Sequence, residues 1–441
     1  MSVEPTKKDV NEQINVPIQT HKLAPRKNAS LTAWIDYLLA IHPSEIDMGL
    51  ARVSWVAEKM GLLDFSQTQV ITVAGTNGKG STCALIEAAL TLEGLSVGVY
   101  SSPHLLHYNE RVRVNGEDAK DSDLVAAFEA IELGRGETSL TFFEYATLTG
   151  LYLFKAAQLD VILLEVGLGG RLDATNVVDA DVAVITSIDL DHQEYLGDTR
   201  EQVAVEKAGI CRKGKPVIIG EPDRPSTLIE TVNAVGAQMC AVGPHFSYQI
   251  TQTHWTFQGQ LFHLSDLPLP QLPLPNAATA IAALEHICPS ISLEHIKQAI
   301  SQTRLSGRLE CVSEAPTILL DVAHNPHAAR YLLSRLLAKN PTRLLALCGM
   351  LKDKEIAQVL ALFTPHIARW YCCDLAVPRG ARGADLAACL PQGETVQVFE
   401  SLALGWAQLQ EELQEDDIVI VFGSFYTVAG IKTLIKGNDS V

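Results

Sequence analysis

The sequence lacks any cysteine pattern that would suit a zinc site or a disulfide framework. Its nine cysteines show no C-x-x-C spacing, and the only close pair, Cys372 and Cys373, is adjacent in the chain. Structural zinc sites and disulfide-rich secreted domains both need regular spacing of cysteines. We therefore expect the chain to work in a reducing compartment, the cytoplasm.

Long apolar runs and an excess of positive charge are also absent. No segment approaches about 18 uncharged apolar residues, the length that a membrane-spanning helix requires, and the first thirty residues lack the apolar run of a secretory signal. The chain has 34 Lys and Arg against 51 Asp and Glu, a formal net charge of −17. A field of that sign repels nucleic acid and anionic membranes. Any anionic substrate must therefore meet locally placed cations or metal ions.

The chain has 441 residues, 47% of them hydrophobic, which is enough for two or three domains with their own cores. Short β-type runs alternate with stretches of helical period. These runs are QVITVAG (69–75), DVILLEV (160–166), DVAVITS (181–187) and PVIIG (216–220). This alternation predicts βαβ units and a buried, mostly parallel sheet.

The pattern of polar and apolar residues changes twice further along the chain. Around residues 245–275 polar and aromatic residues alternate, which predicts a small antiparallel sheet. After about residue 305 the α/β alternation restarts and predicts a second, smaller α/β domain. We therefore predict a polar N-terminal extension (1–28), a central domain (29–302) and a C-terminal domain (303–441).

The stretch VAGTNGKGST (73–82) lies between a β-branched strand and a predicted helix. The residues that can expose backbone N–H groups to phosphate oxygens there are Gly75, Gly78 and Gly80. Lys79 adds a positive charge, and the hydroxyl of Ser81 or Thr82 can ligate magnesium. The spacing departs from the usual G-x-x-x-x-G-K-[ST] loop, so a glycine-rich turn with an incidental lysine is the alternative. The position between strand and helix favours a nucleotide site.

Two further polar groups of the central domain follow predicted strands, where sites in open α/β sheets lie. Glu165 ends the strand DVILLEV, where a carboxylate is costly unless it is paired or bound to metal. A strand-end glutamate that faces solvent is the alternative. His192 follows the next strand, but magnesium prefers oxygen ligands. Taken alone, His192 is better explained as a structural or surface residue.

The second domain carries weaker signals. Arg308 could bind a phosphate through both arms of its guanidinium, although a surface arginine is an equal explanation. Asp321 and His324 lie in DVAHNPHAA (321–329), just after a strand, where they would face a cleft; an Asn-Pro pair is also an ordinary helix start. The stretch FGSFYT (422–427) is either a binding turn or a plain Gly-Ser turn.

Together these pieces resemble the folylpolyglutamate synthase/dihydrofolate synthase family, within the wider Mur ligase superfamily. The resemblance runs from about residue 29 to 436. The motifs that carry it, in chain order, are GTNGKGS, SSPHLLHYNERVRVNG, TFFEYATL, VGLGGRLDATN, TSIDLDH, EKAGI, LPNAATA, SGRLE, DVAHNPHA and FGSF. The superfamily regularly spells its phosphate loop as here. One departure is Ser306, which stands where many relatives have proline.

The resemblance implies an α/β fold with a P-loop central ATPase domain, built on a mostly parallel sheet, and a smaller Rossmann-like C-terminal glutamate-ligase domain. It implies ATP-dependent amide formation with Mg²⁺ at two sites. A carboxylate of the pterin substrate attacks the γ-phosphate of ATP, and the amine of L-glutamate then displaces phosphate from the acyl phosphate. The implied substrates are dihydropteroate, reduced folates, L-glutamate and ATP, and the implied state is a monomer. The segment 46–62 resembles the family's N-terminal helix, which leans over the substrate.

Residue roles follow from the same resemblance, position by position. Binding of ATP is implied for Gly75, Thr76, Asn77, Gly78, Lys79, Gly80, Ser81, Asn276, Arg308 and Asp321. Metal binding is implied for Ser81, Glu165, His192 and Lys207, the last of which is often carbamylated in the family. Substrate binding is implied for Ser102, Pro103, Arg111, Thr141, Phe143, Asp173, Ala174, His324 and Ser424. Catalytic roles are implied for Lys79, Lys207 and His324.

Three alternatives stay open at this point. The chain could have folylpolyglutamate synthase activity alone, without the dihydrofolate synthase reaction. It could be a related Mur-type ligase that adds an amino acid to a UDP-sugar peptide, although the phosphate loop begins near residue 73 and leaves little room for a UDP-binding domain before it. Third, the chain could be a nucleotide-dependent switch, although a switch would not need a second α/β domain or a pterin pocket.

Overall fold

The structure is a computed structural model that describes residues 23–42, 44 and 46–438. The chain forms two compact units, with the boundary between Thr303 and Arg304. Most of the predicted N-terminal extension lies outside the described residues. Among the described residues no helix is both long enough and apolar enough to cross a lipid bilayer.

An eight-stranded sheet forms the centre of the first unit. Its strands are β1 (Gln69–Ala74), β2 (Val97–Tyr100), β3 (Val112–Val114), β4 (Glu117–Asp118), β5 (Val161–Glu165), β6 (Val182–Ile185), β7 (Pro216–Ile219) and β8 (Gln238–Ala241). They lie in the order β4-β3-β2-β5-β1-β6-β7-β8. Only the pairs that involve β3 are antiparallel. The inner strands are buried along almost their whole length, as expected for a parallel sheet covered on both faces. The predicted mostly parallel sheet is confirmed.

Helices cover both faces of this sheet. They are α1 (Leu31–Leu38), α2 (Ala51–Lys59), α3 (Lys79–Leu92), α4 (Asp121–Arg135), α5 (Phe142–Ala157), α6 (Gln193–Leu196), α7 (Arg200–Ala208), α8 (Ser226–Val235), α9 (Leu274–Ile287) and α10 (Leu293–Gln302). Short 3₁₀ helices span Tyr108–Arg111 and Ala174–Val177. One apolar core joins α1, α2, α4 and α5, with Trp34, Phe128 and Tyr145 fully buried. A second core joins α7 and α8 to β6 and β7.

The helix in segment 46–62 is shorter than the resemblance implied. It occupies only Ala51–Lys59, and the residues before it form a loop. Glycine in a helix interior is unfavourable, and Gly49 lies in this loop. The carboxylate of Asp47 pairs with Arg52 at 2.7 Å, and this contact holds the loop against the first turn of α2.

Three antiparallel strands follow β8, as the sequence predicted: β9 (Ser247–Ile250), β10 (His254–Gln258) and β11 (His263–Pro268). Trp255 and Phe257 alternate with exposed residues on β10 and are themselves buried. Alternation of this kind is typical of a sheet with one covered face.

The second unit is built on a six-stranded sheet. Its strands are β12 (Glu310–Glu314), β13 (Thr317–Asp321), β14 (Arg343–Cys348), β15 (Arg369–Cys373), β16 (Val396–Phe399) and β17 (Asp417–Phe422), in the order β12-β13-β17-β14-β15-β16. All pairs except β12 with β13 are parallel. Its helices are α11 (Pro326–Leu337), α12 (Ile356–Phe363), α13 (Gly383–Ala387), α14 (Leu402–Glu412) and α15 (Phe425–Asn438), with a 3₁₀ turn at Thr364–His366. The predicted second α/β domain is confirmed.

Glu285 joins the small antiparallel sheet to α9. Its side chain is buried, and its carboxylate accepts hydrogen bonds from the backbone N–H groups of Gln260, Leu261 and Phe262 at 3.2, 2.8 and 2.6 Å. The loop between β10 and β11 therefore depends on a single charged acceptor.

We predict that Glu285→Ala lowers the free energy of unfolding by about 1–3 kcal/mol, because buried donors left without an acceptor carry their full desolvation cost. Urea unfolding followed by circular dichroism measures the change. Glu230→Ala, at an exposed position of α8, is the matched control and should change stability far less. Equal stability of the two variants would contradict this role for Glu285.

Candidate active site

The register of the parallel strands brings the predicted site residues of the first unit to one edge of its sheet. Val73 pairs with Glu165, and Ala74 pairs with Ile185. The loops after β1, β5 and β6 therefore start side by side, at the carboxyl edge where open α/β sheets bind ligands. The loop after β2 joins them, because the backbone N–H of Ser102 lies 3.3 Å from Oε2 of Glu165.

The phosphate-type loop has the geometry of a helix-capping anion site. Gly78 has a φ of 90° and precedes the first turn of α3, so the loop and the helix N-terminus present backbone N–H groups together. Nζ of Lys79 donates to the carbonyl of Gly75 at 2.8 Å. A Cβ built on Gly78 would lie 2.5 Å from Oδ1 of Asn276. The structure thus brings Asn276 against the loop, although the two are far apart in sequence.

Residues 186–189 hold the loop from the neighbouring strand. Oγ1 of Thr186 donates to the carbonyl of Asn77 at 2.6 Å, and the N–H of Thr76 donates to the carbonyl of Ser187 at 2.9 Å. The side chain of Thr76 bonds both the N–H and the carbonyl of Asp189. The roles of Thr186 and Ser187 could not be predicted, because hydroxyl residues after a strand have no distinctive spacing.

Ile188, in the same loop, is fixed at both of its backbone polar groups. Glu221 accepts its N–H at 2.8 Å, and Nε of Arg200 donates to its carbonyl at 2.9 Å. Arg200 also lies 3.5 Å from Glu221 and pairs with Asp223 at 2.6 Å. Glu221 and Arg200, which no sequence motif marked, thus fix the loop that leads from β6 to His192.

The predicted metal ligands lie around this edge. Glu165 and Ser81 are both buried. Glu165 is close enough to α3 that its charge contributes, after burial, to the raised pKa of the Cys83 thiol. His192 starts α6 with a φ of 49°, and its Nε2 lies 3.9 Å from Asp191. The described residues contain no cluster of three His, Cys, Asp or Glu arranged for a metal. The predicted set has one carboxylate, one imidazole, one hydroxyl and one lysine.

Lys207, on α7, is the buried amine of this site. Burial and the nearby charge of Lys79 lower the pKa of Lys207 to about 7, and the carboxylates of Asp191 and Asp173 act in the opposite direction. These four groups are therefore electrostatic neighbours. An amine with this pKa is partly uncharged at neutral pH and can act as a nucleophile.

The predicted pterin-binding residues meet beside the loop that follows β5. The ring of Phe143 lies so close to this loop that a Cβ on Gly167 would be 2.5 Å from it. Oδ2 of Asp173 accepts the N–H groups of Gly167 and Leu168 at 3.0 and 2.9 Å. Ala174 is buried directly after Asp173, at the start of a 3₁₀ turn.

Asp173 has a structural role that sequence analysis missed. Its second oxygen, Oδ1, accepts bonds from the N–H and the hydroxyl of Thr175 at 3.0 and 2.6 Å. Each carboxylate oxygen thus already takes two hydrogen bonds from the chain. The residue fixes the loop 167–175, and a pterin contact by Asp173 remains a prediction.

Arg111 is held in place by a residue that sequence analysis did not select. Its Nε donates to Nδ1 of His104 at 2.7 Å, and its guanidinium lies 5.2 Å from the centre of the Phe142 ring. Burial and Arg111 lower the pKa of His104 to about 4. His104 is therefore neutral and accepts this bond at Nδ1. Pro103, between Ser102 and His104, belongs to the same loop.

In the second unit, the predicted residues gather at the carboxyl edge of the six-stranded sheet. Asp321 pairs with Phe422 in the register, so the loops that carry His324 and Ser424 start beside each other. The carboxylate of Asp321 accepts the N–H groups of Leu309 and Ala323, both at 2.8 Å, and burial raises its pKa while Arg308 opposes that shift.

His324 and Ser424, the two predicted site residues in these loops, are both oriented by hydrogen bonds to nearby residues of the chain. Nδ1 of His324 lies 2.8 Å from the carbonyl of Val322, which requires the hydrogen on Nδ1. Ser424 is buried, and its Oγ accepts the N–H of Thr427 at 3.0 Å. Arg308 lies over the ring of Phe425 at 5.5 Å.

Two family models match the chain. The Mur ligase middle domain matches residues 73–268, and the Mur ligase glutamate ligase domain matches residues 307–425. A dihydrofolate synthase/folylpolyglutamate synthase of Escherichia coli (strain K12) is 48% identical over 421 residues, which cover 95% of this chain and 99% of the relative. A protein of the same name from Haemophilus influenzae is 43% identical, with coverages of 93% and 99%.

Solved structures agree with these relatives. The structure of E. coli FolC in complex with DHPP and ADP has a TM-score of 0.91 and 48% identity, and it covers 94% of this chain and 100% of its own. A crystal structure of a bifunctional folylpolyglutamate synthase/dihydrofolate synthase with Mn, AMPPNP and L-glutamate bound has a TM-score of 0.88 and 46% identity, with coverages of 94% and 100%.

We predict that Gly78→Ala lowers the affinity for MgATP by about 10-fold or more, or about 1.4 kcal/mol. An added Cβ meets the Asn276 side chain at 2.5 Å while the backbone keeps a φ of 90°. Isothermal titration with a non-hydrolysable ATP analogue measures the change. Gly94→Ala is the matched control, since Gly94 ends the same helical segment with a φ of 89° and open space around it. Similar losses in both variants would show that contact with Asn276 is unimportant.

Proposed function

Because the chain belongs to the dihydrofolate synthase/folylpolyglutamate synthase family of Mur ligases, we propose that it joins L-glutamate first to dihydropteroate and then to folates. It is an ATP-dependent, amide-forming ligase. One observation carries the assignment of the site: the phosphate-type loop, Glu165, the His192 loop and buried Lys207 meet at a single sheet edge.

The nucleotide-binding residues are proposed from this arrangement. The loop residues Gly75, Thr76, Asn77, Gly78, Lys79, Gly80 and Ser81 would hold the phosphates of ATP, with the positive end of α3 directed at them. The N–H groups of Thr76 and Asn77 already bond Ser187, so the N–H groups at the start of α3 are the proposed backbone donors. The contact of Asn276 with Gly78 supports a role for Asn276 at the same nucleotide. In the second unit, Arg308 and Asp321 are the proposed contacts, and the bonds that fix Asp321 support a defined geometry there.

Ser81, Glu165 and His192 would hold two Mg²⁺ ions, with Lys207 contributing if it is carbamylated. Oxygen ligands with a single imidazole suit a small hard cation. When bound, the metal neutralises charge on the phosphate oxygens. Glu165 is buried close to α3, and it ends the strand beside the one that leads into the phosphate-type loop, which supports its place in this set.

The reaction needs alignment and charge neutralisation more than covalent participation by the protein. A carboxylate oxygen of the pterin substrate attacks the γ-phosphorus of ATP, the bond to the β,γ-bridging oxygen breaks, and ADP leaves. The neutral amine of L-glutamate attacks the acyl phosphate, phosphate leaves and a proton is lost from nitrogen. Lys79 supplies positive charge beside the transferred phosphoryl group, and its bond to Gly75 keeps it at the loop.

Glutamate and the pterin are proposed to bind to different sets of residues. The residues proposed for glutamate are Ser102 and Arg111 in the first unit and Ser424 in the second. Pro103 is proposed to bind substrate, and His324 to act on the incoming glutamate or the γ-phosphate. Thr141, Phe143, Asp173 and Ala174 would line the pterin pocket. We propose that residues 29–302 act as the ATP-binding domain and 303–441 as the glutamate-ligase domain. The fixed tautomer of His324 supports its catalytic role, because Nε2 is then the nitrogen that can accept a proton.

The chain acts on small molecules, and we infer that it does so as a monomer in the cytoplasm without nucleic acid or membrane partners. Nine free cysteines suit a reducing compartment. The net charge of −17 disfavours association with polyanions.

We predict that turnover of ATP depends on both a pterin acid and L-glutamate. Purified chain is incubated with MgATP, labelled glutamate and either dihydropteroate or a reduced folate monoglutamate, and labelled products are separated by chromatography. Product from both acids is expected. Product from the folate alone would leave only folylpolyglutamate synthase activity, whereas ATP hydrolysis without either acid would indicate a nucleotide switch.

We also predict that Lys207 is carbamylated above neutral pH. Its pKa of about 7 leaves the amine largely neutral at pH 8, so it can add CO₂, whereas the ammonium form that prevails below pH 7 cannot. Native mass spectrometry should show the mass of one added CO₂ at pH 8 with bicarbonate and its loss at pH 6. Lys207→Arg is the control and should not gain this mass. No adduct on the wild-type chain at pH 8 would contradict the modification.

A further inference from the structure

The loop that opens the segment 46–62 lies next to the proposed pterin pocket. Residues 46–50 precede α2, and Cε of Met48 is 3.6 Å from a Cβ built on Gly169. Gly169 belongs to the loop after β5 that also contains Gly167 and Asp173. The segment 46–50 therefore contacts the same loop that packs against the ring of Phe143.

One buried guanidinium ties this segment to the helix that carries Thr141 and Phe143. Arg52 donates to the carbonyl of Asp47 at 3.0 Å, pairs with its carboxylate at 2.7 Å and reaches Oε1 of Glu144 at 3.1 Å. The side chains of Arg52 and Glu144 are only 9% and 4% exposed, so the pair is shielded from water.

Glu144 transmits this contact to Thr141. Its other oxygen, Oε2, accepts the N–H of Thr141 at 2.7 Å, while Oγ1 of Thr141 accepts the N–H of Glu144 at 3.1 Å. This reciprocal capping box fixes the first turn of α5. A continuous set of bonds thus runs from Asp47 through Arg52 and Glu144 to Thr141.

The chemistry of this link requires arginine. Lysine would offer a single charged nitrogen, whereas the planar guanidinium can bond two partners in fixed directions. Burial raises the pKa of Glu144, and the charge of Arg52 opposes that shift, so the cation favours the ionised form of the capping carboxylate.

We propose that Arg52 is a positioning residue for the pterin end of the substrate, because it holds segment 46–50 and the first turn of α5 at a fixed separation. The proposal rests on the function proposed above. Loss of the link lets two walls of the pocket move apart, so pterin acids bind more weakly. The phosphate-type loop proposed for ATP follows the neighbouring strand β1 and not β5, so binding of ATP and glutamate is unaffected. Both the dihydropteroate and the folate reaction change together, since they share the pterin pocket.

A matched pair of double variants separates positioning from stability. Arg52→Met with Glu144→Gln removes both charges but keeps a side chain that can complete the capping box. Arg135→Met with Glu132→Gln removes another arginine–glutamate pair of the same unit, with a buried arginine and a separation of 2.5 Å. This pair contacts Tyr37, Thr138 and Tyr145, none of which is proposed to line the pocket. Thermal melting of each variant reports whether it is folded.

Steady-state kinetics with the full chain give KM for dihydropteroate, a reduced folate, ATP and glutamate, and pterin fluorescence gives the dissociation constant of dihydropteroate without ATP. For the Arg52/Glu144 variant we expect KM for both pterin acids and this dissociation constant to rise about 10-fold. KM for ATP and glutamate should stay within about twofold, and kcat within about threefold. The Arg135/Glu132 variant should keep its pterin KM within about twofold of wild type.

An unchanged pterin KM in the folded Arg52/Glu144 variant would overturn the proposal, as would an equal rise in the Arg135/Glu132 variant or in KM for ATP. If the double variant does not fold, Arg52→Lys decides the question, because it keeps the charge and loses the two-partner geometry; a raised pterin KM supports the link and an unchanged one overturns it. Failure of the proposed function itself would look different, since the wild-type chain would then not use dihydropteroate or folate at all.

Discussion

The pairing register of β1, β5 and β6 is the constraint on which the rest of the site depends. Because Val73 pairs with Glu165 and Ala74 with Ile185, the phosphate-type loop, the buried carboxylate and the loop to His192 all begin at one edge. A slip of one residue in β5 would turn Glu165 to the opposite face of the sheet. The burial of these strands on both faces makes such a slip costly, so the core of the fold also fixes the geometry of the chemistry.

Much of this arrangement could be predicted from sequence, because its signals are local. The strand–glycine loop–helix order around Lys79, the strand-end position of Glu165 and the alternation of β10 each occupy a single short stretch. The contact of Asn276 with Gly78, the clamp of Glu221 and Arg200 on Ile188 and the bond of His104 to Arg111 could not be predicted in this way. Each depends on side-chain directions that only the assembled sheet and helices define.

The role of Asp173 shows a second limit of local reasoning. Its motif indicated a ligand contact, yet four hydrogen bonds from Gly167, Leu168 and Thr175 give the carboxylate a clear structural task. A sequence pattern can mark a residue as important without separating contact with substrate from support of the loop that makes the contact. Only the number and direction of its bonds distinguish these roles.

The acidic composition of the chain and its anionic substrates are compatible, because many of its carboxylates are engaged with the backbone. Loops at the carboxyl edge leave the sheet and lose their ladder partners, so their N–H groups need other acceptors. Glu110 accepts three such groups, from Leu105, Leu106 and His107, and Glu221 accepts those of Ile188 and Asp223. The loops are thereby fixed by anions that point into the protein, while Lys79 and Arg111 are the cations proposed for the site. Carboxylates inside the protein thus fix the loops that carry the cations proposed to meet the substrates.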